Sequence, residues 1–134
     1  MSKKTSPETA SSGAASHPLL SKLNAVDIDT GKMKYVLIKV VDEKSSEYKY
    51  LVRGYCWAEY HADIYEKVEP EITSRELDTE CVGGGRIEHE PASKKIKVYG
   101  YSMGYGKADH SITTAVLKQK FRDYKDISFT NSGY

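Results

Sequence analysis

Cysteine is scarce in this chain. Its 134 residues include only Cys56 and Cys81, too few for a disulfide framework, so a reduced, cytoplasmic protein is expected. An excess of one charge is also missing. Lys and Arg number 20 against 19 Asp and Glu, a formal net charge of +1. A generally basic nucleic-acid binder is thereby excluded, although a local basic patch is not. No apolar run approaches the roughly 20 residues that span a bilayer, and the mean hydropathy is −0.59. The first residues carry no apolar h-region, so neither a membrane protein nor a secretory leader is expected. Phe and Trp are rare, at 2 and 1, whereas Tyr occurs 11 times. Tyr buries a ring yet keeps a polar end, which suits half-open pockets and sheet surfaces.

What is present fits one domain. Residues 1–24 read as a disordered, Ser-rich tail, because the stretch 2–18 has too little apolar surface to offset its ordering entropy. Leu19, Leu20 and Leu23 are the one place where that tail could dock as a helical turn. The domain then spans residues 25–134. MKYVLIKVV (33–41) is apolar on both faces, the mark of a central strand covered on both sides. YKYLVRGY (48–55) pairs with it as a hairpin. AEYHADIYEKV (58–68) has helical periodicity, with Ile64, Tyr65, Val68 and Ile72 inward, and Pro70 is expected to kink or restart it. DTECV (78–82) reads as a short strand broken by Gly83–Gly85. RIEH (86–89) and KKIKVYGY (94–101) read as two more strands, followed by a glycine-punctuated loop (102–110). Thr113 is read as the cap of a helix running to about Arg122, and ISFT (127–130) as a last strand. The fold class is α/β in the α+β sense: one compact domain, a mixed, mainly antiparallel sheet of about six strands, and a helix on each face.

Three constellations are candidates for chemistry. His61 sits near a helix start, where free amides and the dipole favour an anion and disfavour imidazolium. A neutral imidazole beside a phosphate can serve as base or nucleophile. The plainer reading is a helix cap or an exposed ring. In Gly100–Gly106, glycines let several amides converge on an anion and Ser102 adds a hydroxyl. The loop lacks the P-loop pattern, and a tight turn explains it equally. Cys81-Val82-Gly83-Gly84-Gly85-Arg86 is one residue short of a tyrosine-phosphatase loop, and Glu80 would raise the thiol pKa. Cys81 therefore reads as a packed strand residue, and the glycines as a bulge or a close backbone approach. His17, His61, His89 and His110 have no zinc-ligand spacing, so no metal is expected. Lys34 and Arg53 are either solvated strand residues or cations held over an anion site, and Arg86 and His110 are possible supporting groups. Lysines 94, 95, 97 and 107 interleave with Tyr99, Tyr101 and Tyr105, the alternation of a single-strand nucleic-acid face, or simply a solvated face.

Taken together, VDID (26–29), KYVLIKV (34–40), VRGYCWAEYHADIYEKV (52–68), CVGGGRIEH (81–89), KIKVYGYSMGYGKADH (95–110) and the terminal NSGY (131–134) resemble the phosphohistidine phosphatase, or Janus, family. The resemblance runs from about Val26 to the C-terminus, and the run Tyr55 to Tyr65 is its most specific part. It implies a protein phosphohistidine phosphatase that hydrolyses a P–N bond, with phospholysine as a further substrate class. It implies no metal and no organic cofactor. The family's catalytic His falls on His61, its substrate-binding Lys on Lys34, and its phosphate-binding loop on Ser102, Met103 and Gly104; amides at the helix start, including that of Ala62, would join them. Gly104 departs from the family pattern, which has Ala there, and Pro70 departs after the helix start. The expected partners are phosphohistidine-containing proteins, acted on by a cytoplasmic monomer, with no membrane or nucleic acid involved. A non-catalytic phosphopeptide-binding module and a single-strand nucleic-acid binder are the alternatives.

Overall fold

The two-faced apolar run forms the middle strand of the sheet. The structure, a computed structural model, describes residues 17–132. In chain order these form α1 (Pro18–Lys22), β1 (Val26–Ile28), β2 (Gly31–Asp42), β3 (Glu47–Tyr55), α2 (His61–Thr73), β4 (Asp78–Glu90), a 3-10 turn (Pro91–Ser93), β5 (Lys95–Tyr99), α3 (His110–Lys120) and β6 (Asp126–Phe129). The strand order is β1-β3-β2-β4-β5-β6. The two outermost pairs, β1/β3 and β5/β6, are parallel, and the three inner pairs are antiparallel. Alternate residues of β2 feed two separate cores. Val36, Ile38 and Val40 pack under Ile64, Val68 and Ile72 of α2. Met33, Tyr35 and Leu37 pack on the other face with Leu117 of α3. Strand periodicity thus sets the layering: helix, mixed six-stranded sheet, helix, the α+β fold expected.

Several local expectations need correction. The three glycines do not break a strand, because β4 runs unbroken through them as 13 residues. The ladder to β2 slips instead between Val36 and Ile38, and the extra residue on β4 is accommodated where Gly83 adopts φ +134°. Thr113 does not cap α3. Asp109 does, accepting from the Ser111 N–H, and Thr113 lies fully buried one turn further on. Pro70 does not restart the helix, because it lies inside α2, which runs as one element from His61 to Thr73 and buries Ile72. Strand β1 is an addition: its three residues gain their order from parallel pairing with β3.

The stretch read as tail divides. Residues 1–16 lie outside the described residues. From His17 onward the chain packs against the domain, so the boundary drawn at residue 25 cuts off a helical turn that the core includes. Leu20 is buried among the α2-side residues. The His17 N–H donates to Asp42 Oδ2 at 2.7 Å. Lys49 Nζ donates to the carbonyls of Leu20 and Leu23, and Arg53 Nη2 to that of Asn24 at 2.7 Å. These partners lie 25 to 29 residues away along the chain, where local composition carries no sign of them.

Candidate active site

The site forms where α2 begins, against the glycine stretch of β4. His61 is the first residue of α2, and the Tyr60 N–H before it is capped by Asp63 Oδ2 at 2.9 Å. The ring turns inward and is only 6% exposed. Its Nε2 lies 2.9 Å from the Gly85 carbonyl oxygen. A carbonyl can only accept, so Nε2 carries the proton and Nδ1 keeps its lone pair. Burial lowers the pKa of the ring, and the nearby Lys34 ammonium and Arg86 guanidinium push the same way against the Gly85 hydrogen bond. His61 is therefore neutral near pH 7, with Nδ1 as its basic nitrogen.

Such a close approach requires glycine in the sheet. A Cβ on Gly84 would stand 2.8 Å from His61 Cδ2, 2.7 Å from the Tyr35 carbonyl oxygen and 3.2 Å from Ser102 Cβ. His61 and Ser102 thus meet over one glycine. The loop holding Ser102 is stitched to the same residue: the Gly84 N–H donates to Gly106 O and the Ala108 N–H to Gly84 O, both at 3.0 Å. Within the loop, Ser102 and Gly106 exchange two backbone hydrogen bonds, and Ser102 Oγ accepts from the Tyr105 N–H at 3.1 Å. Tyr105 packs edge-on against Tyr65 of α2, which ties the loop to the helix. The loop leaves its tip outward, with Met103 86% exposed. Among the described residues, the Ala62, Met103 and Gly104 amides meet no intramolecular acceptor.

Two cations complete the cluster. Lys34 and Arg86 stand directly opposite each other across the β2–β4 ladder, on the face that carries α2. Like charges in that position repel, which favours an anion bound beside them. Arg53 shares the face but serves elsewhere, holding the Val52 and Asn24 carbonyls. His110 lies on the opposite face. Its Nε2 donates to Gly100 O at 2.9 Å, and its Nδ1 accepts from the Tyr35 hydroxyl at 2.7 Å. Thr113 Oγ1, 2.9 Å from that hydroxyl, then supplies the donor that Tyr35 accepts. This buried chain backs Gly85, whose added Cβ would stand 2.8 Å from His110 Cε1. Neither Arg53 nor His110 is brought to His61. Cys81 is no nucleophile, because burial, with Glu80 adding to it, pushes its thiol up to about 11. The close backbone approach expected of the glycine triplet is found at Gly84, and what sequence reasoning missed is that His61 and Ser102 are the groups that approach it.

Gly104 gives a direct test of how open the loop tip is. A Cβ there would meet nothing within 4 Å, and its backbone is not left-handed. Gly104→Ala should raise stability by about 0.4–1 kcal/mol through the unfolded state and leave function intact. Thermal melts of the two proteins check this, and a lowered Tm would contradict the open loop tip.

The sequence matches the Janus/Ocnus family (Ocnus) over residues 20–125. A 14 kDa phosphohistidine phosphatase of Sus scrofa is 50% identical over 121 residues, covering 86% of this chain and 95% of that protein. Its Homo sapiens counterpart is also 50% identical, covering 86% and 96%. Sex-regulated protein janus-A of Drosophila pseudoobscura pseudoobscura is 48% identical over 120 residues, covering 86% of this chain and 80% of its own. With the matched region spanning α2, the glycine stretch and the 102–106 loop, the chain belongs to the Janus/Ocnus family.

Proposed function

We propose that this protein is a phosphohistidine phosphatase in which His61 is the general base. The observation that carries this is the buried His61 ring, fixed through Nε2 on Gly85 O with Nδ1 left to act. In the proposed reaction the phosphoryl group sits between the Lys34 and Arg86 charges and the Ala62, Met103 and Gly104 amides, with Ser102 beneath. Water attacks phosphorus as His61 Nδ1 takes one of its protons. The P–N bond breaks, and its electron pair stays on the substrate imidazole, which already carries a proton on its other nitrogen and so departs neutral; His61 then gives the water proton up to solvent. Phosphate and free histidine result. The protein's share is to position the water and neutralise the phosphoryl charge. Reading the relatives' named activity into this chain also makes phosphohistidine-containing proteins its substrates. A metal-independent, cytoplasmic monomer is the form proposed, and two free thiols fit a reducing compartment.

The test is release of inorganic phosphate from a phosphohistidine peptide, with EDTA present and uncatalysed loss subtracted. Turnover is expected, and so is an acidic limb. The neutral ring is the active form, so activity is full above the His61 pKa and lost as pH falls through it. Because that pKa is lowered, the limb should centre below the ordinary imidazole value of about 6.5. No turnover by folded protein would leave a phosphopeptide-binding module. A flat profile down to pH 4 would remove His61 as the base.

A further inference from the structure

The site is recessed, yet its rim is unusually apolar. Six large hydrophobic side chains are exposed among the described residues: Tyr48, Trp57, Tyr60, Tyr101, Met103 and Phe129. Four of the six belong to the two segments that deliver the site. Trp57 and Tyr60 lead into His61, and Tyr101 and Met103 flank Ser102. Trp57 is 55% exposed and stacks face to face on Tyr55, with centroids 5.4 Å apart and ring planes 11° from parallel. Tyr55 in turn stands opposite Lys34 on the sheet. Trp57 therefore bounds the Lys34 side of the recess, and Met103 bounds the loop side. His61 and Ser102 at the bottom are 6% and 3% exposed.

We infer that this aromatic rim is the docking surface for the polypeptide on either side of the phosphohistidine, and that it selects apolar side chains there. The inference rests on the phosphatase reading. Exposed rings beside a polar recess suit this role, because Trp and Tyr supply large rigid contact area and dominate interface energetics. Continuity with the recess fixes the occupant: a phosphoryl group reaching Lys34 and Arg86 places its own flanking residues on Trp57, Tyr60 and Met103.

Trp57 is the only tryptophan in the chain, so it reports its own occupation. Wild-type protein is titrated with a non-hydrolysable phosphoryl-triazole analogue of phosphohistidine. Three forms are compared: the free amino acid, a peptide with apolar flanks, and one with Gly and Ser flanks. The apolar peptide should blue-shift Trp57 emission and bind about tenfold more tightly than the other two. In turnover, Trp57→Ala should raise KM for an apolar-flanked phosphohistidine peptide about tenfold and leave free phosphohistidine within twofold. Trp57→Phe should restore most of the peptide KM. Equal affinity for all three ligands, or an equal loss on free and peptide substrates in Trp57→Ala, would overturn the inference. An emission shift that follows protein concentration without ligand, with dimers in sedimentation, would assign the rim to a second copy instead. Absence of turnover by wild type sinks the phosphatase reading alone, since the titration still decides the rim.

Discussion

His61→Ala is expected to lower kcat on a phosphohistidine peptide by at least 10²- to 10⁴-fold, the usual worth of a positioned general base. The loss cannot be shared out among neighbours. Lys34 and Arg86 are cations that bind charge and accept no proton, and His110 faces the other side of the sheet with both ring nitrogens engaged. The Ala variant also loses the hydrogen bond that the ring donates to Gly85 O. One such bond is worth about 0.5–1.5 kcal/mol net, so some fall in Tm is expected with it. His61→Gln separates the two effects. Its amide can donate to Gly85 O yet is not basic, so stability should recover and activity should not. Matching kcat and Tm measurements on both variants decide the point. Activity within tenfold of wild type in either one would remove His61 as the base. Activity recovered in Gln but not in Ala would make the ring a positioning group only.

The parts of this molecule legible in the sequence are those set by local periodicity. The alternation of Val36, Ile38 and Val40 with Tyr35 and Leu37 marks β2 as a central strand covered on both sides, because a strand with two apolar faces must be covered twice. The position of His61 at a helix start was legible in the same way. Features fixed by distant partners were not. The order of residues 17–24 depends on Lys49 and Arg53, which in sequence are merely basic residues in a strand. Thr is a common cap, but the Thr113 hydroxyl is committed to Tyr35 on the sheet face beneath α3. Of the two readings the glycine triplet allows, a strand break does not occur, and a bulge with close backbone approach does. What approaches is set by distant partners: His61 on one face, His110 on the other, and the 102–108 segment alongside. The family resemblance names Lys34, His61 and Ser102, and the contact of His61 with Ser102 follows from Gly84.

That makes Gly84 the place where fold and chemistry are tested together. Gly84→Ala adds a single methyl group, and its nearest contacts are 2.7 Å to Tyr35 O and 2.8 Å to His61 Cδ2. Real Cβ atoms do not sit that close, so something must give. The Tyr35 oxygen belongs to the backbone of the central strand, where β2 is held between β3 and β4 and cannot retreat alone. The imidazole is the softer neighbour, but it can move only by weakening its hydrogen bond to Gly85 O. Both costs are expected. Overpacking of this kind is worth about 1–3 kcal/mol, enough to lower Tm by several degrees. A displacement of about 1 Å at the reacting group costs on the order of 10²-fold in rate. Because the methyl group also presses on Ser102 Cβ at 3.2 Å, the 102–106 loop should shift with His61, and on the proposed phosphatase reading KM should rise as kcat falls. Gly104→Ala is the matched control, the same chemical change where a Cβ meets nothing. Wild-type kcat and Tm in Gly84→Ala would mean that His61 does not rest on this glycine. A lowered Tm with unchanged kcat would keep the packing and break its link to catalysis.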